Sequence, residues 1–238
     1  MKKILYIIIA SLIIGSLSTA NAAVMTFFGE DLGLGEGIRL PSHLNSDTAR
    51  NDFLNHLINP GTETFESFTE GTGVPLAVNF GAAGTATLQG SGSVSEQVAG
   101  TNGVGRYPIS GSNYWEGTNS FSIAFSDPVA AFGFYGIDIG DFYGRVTVTT
   151  VNGGTSTYTI PNTMGGLGGS VLYWGIIDTE NVFTSLTFGN TAAGTDYFGF
   201  DDFTIGSLEQ VTGVPEPATL LLFGAGLAGL AAARKRLI

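Results

Sequence analysis

From Glu63 to Ile205 the chain runs in short stretches of alternating apolar and polar residues, each closed by glycine, proline or asparagine. This two-residue period limits the fold more than any other feature. Phe121-Ser122-Ile123-Ala124-Phe125 puts two aromatic rings and an isoleucine on one face. Ser126-Asp127-Pro128 predicts a turn, and the denser apolar run from Val129 to Ile139 predicts a central strand. Residues 145–151 alternate, Asn152-Gly153-Gly154 is a hairpin signal, and 156–160 return. Segments 64–68, 77–80 and 84–88 precede these, and 171–177, 182–188 and 197–205 follow. Eight or nine short strands with turns at nearly regular spacing indicate a mainly β fold, a single β-sandwich of jelly-roll-like form.

Upstream the period changes. Residues 24–42 are glycine-rich and acidic and read as loop or extended chain. Residues 46–58 predict the one helix of the body. Ser46 or Asp47 can cap it, Ala49, Phe53, Leu54 and Leu57 share a face, and Asn59-Pro60-Gly61 stops it. The predicted organisation is a signal peptide at 1–22, a glycine-rich segment with the helix at 23–62, and the sandwich at 63–210. A linker at 211–217 and a membrane helix with a basic tail at 218–238 complete it.

The two ends carry addresses. Lys2 and Lys3 precede an apolar run from Ile4 to Ile14, and Ala20-Asn21-Ala22 is a small-x-small cleavage site, which predicts a cut after Ala22 and passage through the Sec translocon. With no cysteine in the chain, a lipid anchor, disulfides, thiol catalysis and thiolate metal sites are all excluded. At the other end Val214-Pro215-Glu216-Pro217 leads into an uncharged run of 16 residues, Ala218 to Ala233, closed by Arg234-Lys235-Arg236. As a helix at about 1.5 Å per residue this run covers roughly 24 Å, a little short of the roughly 30 Å hydrocarbon core. Snorkelling of the basic side chains or local thinning of the bilayer can absorb the difference, and the positive cluster is expected to stay cytoplasmic.

This tripartite end resembles the PEP-CTERM sorting signal of Gram-negative bacteria. The resemblance implies that a membrane-embedded exosortase processes the tail, with Pro215, Glu216 and Pro217 read as a recognition sequence. It also implies passage through the inner membrane on the way to the cell surface or beyond.

Removing both ends leaves nineteen acidic residues against Arg39, Arg50, Arg106 and Arg145, with no lysine, a net charge of about −15. Such a body repels nucleic acid. His43 and His56 are the only imidazoles and read as surface residues in or beside the helix. Acidic residues gather at Glu63 with Glu66, at Asp138 with Asp141, and at Asp201 with Asp202. Alternation puts Phe198, Phe200 and Asp202 on one strand face and Asp201 and Phe203 on the other, so one aspartate meets the aromatic layer unless a bulge intervenes. Asp138 and Asp141, three apart, face opposite ways on a regular strand, which disfavours a glycosidase pair.

The body resembles jelly-roll carbohydrate-binding modules, on the pattern of residues 63–206 and on Phe198-Gly199-Phe200-Asp201-Asp202. In many of these the first and last strands meet near a structural calcium, which implies a calcium ion between Glu63 or Glu66 and Asp201 or Asp202. Tyr114-Trp115, in a Gly/Ser/Asn stretch, offers rings that could stack on a sugar; the alternative is that they cap the sandwich. No nucleophile elbow, phosphate loop or zinc motif occurs, and no catalytic residue is assigned. The expected function is a non-enzymatic structural or adhesive surface protein, with an exopolysaccharide-binding module second and a secreted glycoside hydrolase last.

Overall fold

A computed structural model of the chain describes residues 24–118, 121–140, 144–189 and 197–212, within one compact unit, Ala23–Gly213. The cleavage residues Ala20 and Ala22, the tail residues Pro215, Glu216, Pro217, Arg234, Lys235 and Arg236, the expected membrane helix and Asp141 lie outside the described residues. Among the described residues no helix is long and apolar enough to cross a membrane.

Thirteen strands form two antiparallel sheets among the described residues. In chain order they are β1 Met25–Asp31, β2 Gly61–Glu63, β3 Leu76–Asn79, β4 Thr85–Gln89, β5 Ser93–Glu96, β6 Asn113–Thr118 and β7 Phe121–Val129. Then come β8 Ala131–Ile137, β9 Arg145–Thr150, β10 Thr155–Thr159, β11 Val171–Ile177, β12 Phe183–Gly189 and β13 Tyr197–Gly206. One sheet has the order β1-β11-β8-β13-β6-β5, with β2 added beside β13; the other has β10-β9-β12-β7-β4-β3. From β7 onward the chain crosses between sheets at almost every step, with the β9–β10 hairpin as the exception, and this gives the jelly-roll-like sandwich.

The inner faces meet in an aromatic core. Phe121 stacks on Phe188 at 4.4 Å, while Phe134 meets Phe188 edge-on at 5.1 Å and Phe121 meets Phe200 edge-on at 5.0 Å. Trp115 and Phe203 are fully buried against the same cluster. This core supplies what a chain without disulfides requires.

Strand β13 is the centre of the larger sheet. Residues 197–200 pair with β6, residues 203–205 pair with β2, and β8 runs along its other edge. Between Asp201 and Thr204 the register slips by one residue, and Asp202 takes φ 49°. This is a β-bulge, so neither aspartate enters the aromatic layer: Phe198, Phe200, Phe203 and Ile205 point inward and Asp201 points out.

The helix, α1, spans Leu44–Leu54 and packs on the outer side of β1, β11 and β8. It starts earlier and ends sooner than the sequence suggested. Its cap is not its own Ser46 or Asp47 but Asp31, at the end of β1. The Asp31 carboxylate accepts bonds from the Asn45 and Ser46 N–H groups at 3.2 and 2.9 Å and from Ser46 Oγ at 2.8 Å. The sheet is smooth beneath the helix. A methyl group on Gly175 would come within 2.9 Å of the Phe53 ring, and one on Gly29 would strike the Asn45 carbonyl.

Other expectations are corrected. Within residues 24–42, read as loop or extended chain, the extended part is β1, which the sequence did not place as an edge strand of the sandwich. Residues 64–68 form a turn, with Phe65 at φ 61°, so Glu63 ends β2 and Glu66 lies off any strand. Ser126-Asp127-Pro128 does not end β7. It bulges out of it, since Ala124 pairs with Ser185 and Val129 with Phe183.

Candidate functional site

The expected aromatic site does not form. Tyr114 and Trp115 lie on strand β6, 1% and 0% exposed, rather than in a loop. Trp115 faces the core against Phe65 and Phe121. Tyr114 faces the other way and its hydroxyl reaches Glu116 at 3.4 Å; burial first, then the Glu116 charge, raises that hydroxyl far above its usual range. Neither ring is open to a sugar.

The four carboxylates expected to share calcium are not brought together either. Glu63 pairs in register with Phe203 on the inner face, and its Oε1 accepts the Phe65 N–H at 2.7 Å. Desolvation raises its pKa, against the backbone bonds that lower it. Asp201, Asp202 and Glu66 instead hold one strap, residues 108–113, on the outer face. Asp201 Oδ2 accepts from the Ile109 and Ser110 N–H groups at 2.8 and 2.9 Å, and Asp202 Oδ1 from Ser110 Oγ at 2.6 Å. Glu66 Oε1 accepts from the Ser112 and Asn113 N–H groups at 2.9 and 2.6 Å. Burial first, and then the Asp202 charge, pushes Asp201 well above the usual carboxylate value, while three backbone donors pull it down. Among the described residues no three potential ligands gather as a metal site.

Arg106 extends this strap. It is 8% exposed, its Nε donates to Glu116 Oε1 at 2.8 Å, its Nη1 donates to the Tyr197 carbonyl at 3.0 Å, and Asp138 Oδ2 lies 3.6 Å away. His43 pairs with Asp47 at 2.9 Å and His56 with the Asp52 carbonyl at 2.8 Å, both beside α1. The acids and imidazoles near the larger sheet therefore hold structure together.

The outer face of the smaller sheet has a different character. Inward positions on its strands are apolar except Thr150 and Ser156 at the β9–β10 hairpin, so the outward ones fall into rows set by the pairing. One row across the sheet, from β10 to β3, reads Thr155, Thr149, Ser185, Ala124, Thr87 and Ala77. The next reads Thr157, Thr147, Thr187, Ser122 and Gln89. Every one of these side chains is exposed or half-exposed, and none is charged. Arg145 stands beyond the second row, paired with Thr159 and Gly189. Thr147 and Thr157 bond through their hydroxyls at 2.9 Å, which holds the hydroxyl layer in place. Strand spacing repeats these groups about every 4.8 Å across the sheet, and the pleat repeats them about every 6.6 Å along it. The array offers donors and acceptors in a regular plane and no charge, on a body that is otherwise strongly acidic.

Sequence reasoning saw these threonines and serines only as the polar half of each alternation. The rows exist once six strands are placed in register.

Comparison with known proteins adds an address. Residues 213–236 match the PEP-CTERM protein-sorting motif. Nothing among curated proteins matches the chain. Among solved structures it is similar to the K2 cleaved adhesin domain of Lys-gingipain, at 18% identity over 61% of this chain and 97% of that one, with a TM-score of 0.39. It is also similar to the C-terminal family 22 carbohydrate-binding module of Clostridium thermocellum Xyn10B, at 16% identity over 66% and 98%, with a TM-score of 0.36. A third is the xylan-binding domain from CBM 22, at 15% identity over 63% and 95%, with a TM-score of 0.36. Scores below 0.5 do not establish a common fold, and the sandwich stands on this chain's own strand pairing.

Proposed function

We propose that the chain is an exported, non-catalytic surface or matrix protein that adheres to neutral polysaccharide through the hydroxyl face of its smaller sheet. The observation that carries this reading is the pair of uncharged Thr/Ser rows on a rigid six-stranded sheet. A neutral glycan presents hydroxyl groups that both donate and accept, and each threonine or serine answers in kind. An acidic polymer would be turned away by a body charge of about −15, whereas a neutral one is not. The sorting motif at residues 213–236 supports delivery to the outside through an exosortase, with the inner membrane as the staging point. The basic start and the Ala20-Asn21-Ala22 site support entry through the Sec translocon. A non-catalytic role is supported by the acids at the larger sheet, where Asp201 and Glu66 accept backbone N–H groups and Glu116 accepts from Arg106.

Co-sedimentation of the full chain with insoluble neutral polysaccharides, and with exopolysaccharide from the host, tests the face. Wild type is expected in the pellet, and Thr149→Glu and Thr187→Glu, each alone, in the supernatant with unchanged melting. A wild type that stays in the supernatant with all of them, or variants that bind as well, would overturn the reading. Delivery is tested separately by mass spectrometry of the mature C-terminus with and without the sortase. An intact Arg234-Lys235-Arg236 end in both strains would reduce the tail to a plain anchor.

A further inference from the structure

We infer that a polar cavity beside the β9–β10 hairpin binds a single neutral sugar ring, the terminal or branching unit of a glycan. The cavity has a volume of about 200 Å³ and lies between the hairpin and the β11–β12 connection. This is below the roughly 300–1,000 Å³ of pockets that take drug-sized ligands, and it suits one pyranose rather than a chain. The inference does not rest on the hydroxyl face. That face points away from the core and spans a polymer, whereas the cavity would take one unit end-on.

The lining decides the chemistry. Asp178 is 7% exposed, and its Oδ1 is held by the Glu180 and Asn181 N–H groups at 3.0 and 2.8 Å. Its Oδ2 is approached only loosely by the Asn181 amide, at 3.4 Å, so its lone pairs can accept from a ligand. Ser156 and Tyr158 lie two apart on β10 and both line the cavity, and burial first and the Asp178 charge second raise the Tyr158 hydroxyl above its usual value. The Tyr158 ring is fixed by packing on Trp174 at 6.1 Å. Thr150 adds a third hydroxyl, while Thr155 borders the opening with its side chain in the outer row. The wall thus presents one fixed carboxylate, one amide and three hydroxyls, both donors and acceptors, in a preformed space.

Other ligand classes fit less well. No lysine or arginine lines the cavity to balance an anion against Asp178. One carboxylate is too few for a calcium ion, which gathers several. An apolar guest would leave the carboxylate and amide unpaired. A sugar ring, with one hydroxyl to donate to Asp178 Oδ2 and others to meet the amide and the wall hydroxyls, satisfies the set.

Saturation-transfer NMR on the full chain tests this, with methyl glycosides of the common neutral hexoses, pentoses and N-acetylhexosamines as probes and methylamine as the cationic comparison. At least one glycoside is expected to give a saturable signal at millimolar concentration. Asp178→Asn should weaken it about tenfold through loss of a charged acceptor. Because Asp178 also fixes its own loop, Ser156→Phe provides the second variant: it fills the cavity from an exposed strand position and should abolish the signal without changing the melting temperature. A signal from methylamine and none from any glycoside overturns the inference. So does silence from the whole panel, or glycoside binding that survives Ser156→Phe. Polysaccharide sedimentation is scored on other residues, so either result can fail while the other stands.

Discussion

Replacing Asp201 by asparagine isolates what holds the outer strap. The side chain has no exposed surface and accepts three backbone N–H groups, from Ile109 and Ser110 at Oδ2 and from Asp202 at Oδ1. An asparagine can keep its oxygen toward Ile109 and Ser110, but its NH₂ then faces the Asp202 N–H. Turned over, it loses the other two. The better choice still leaves two buried donors opposed, each costing about 1–3 kcal/mol, and removal of a desolvated charge offsets part of this. We expect about 3 kcal/mol of destabilisation, a melting shift of roughly 6–12 °C for a domain of this size. Urea unfolding followed by the fluorescence of the buried Trp115 and Trp174 measures it. The pH dependence carries the second half of the prediction. Burial and Asp202 raise the native pKa of Asp201 above 3.8, so its stabilising contribution is complete below that value and is lost as pH rises through the native one. Asparagine cannot titrate, so the gap between the two proteins should be widest in acid and should narrow as pH rises. A variant as stable as wild type throughout, or a gap that widens with pH, would refute the account.

Three further perturbations bear on the frame. Gly92 sits at φ +125° with the Trp115 ring 2.5 Å from where a methyl group would lie, so Gly92→Ala should cost more than about 3 kcal/mol and blunt the near-UV circular dichroism of the core. Arg106→Met removes the bonds to Glu116 and the Tyr197 carbonyl and leaves a half-buried carboxylate; a loss of about 2–4 kcal/mol is expected by calorimetry. Asp31→Ala uncaps α1 and should cost about 1–2 kcal/mol in urea unfolding, with hydrogen exchange rising first at Asn45 and Ser46.

The elements most legible in the sequence are those whose two faces differ or whose burial is complete. Strand β11 matches its predicted span at Val171–Ile177, and the Asn152-Gly153-Gly154 hairpin forms between β9 and β10. Strand β6 escaped because both of its faces are covered, and β1 because it is a glycine- and acid-bearing edge strand packed on one face only. Phe27 on β1 packs under α1 against Phe53, and Tyr114 and Trp115, adjacent on β6, are both buried, so alternation vanishes. The turn at residues 65–68 misled for the opposite reason. Phe65 and Phe68 both reach the core from non-strand backbone and mimic a period. The carboxylates were visible as pairs, but their partners are backbone amides of a strap 91–92 residues upstream in the case of Asp201, and no residue-type pattern encodes an amide. The cavity at Asp178 had no signal in the sequence, since Thr150, Ser156 and Asn181 are ordinary turn and edge residues until the hairpin folds beside them.

The central place of β13 has a consequence for the order of events outside the membrane. It joins β8, β6 and β2, three strands that cannot complete one sheet without it, yet it ends at Gly206, seven residues before the sorting motif begins at 213. On the proposed export route, a chain that emerges N-terminus first exposes β8 and β6 with an open gap between them until β13 has followed. Contacts this distant in sequence close slowly. On that route the larger sheet closes only shortly before the sorting motif follows, so anything that holds the sheet open at that moment acts on folding and delivery together.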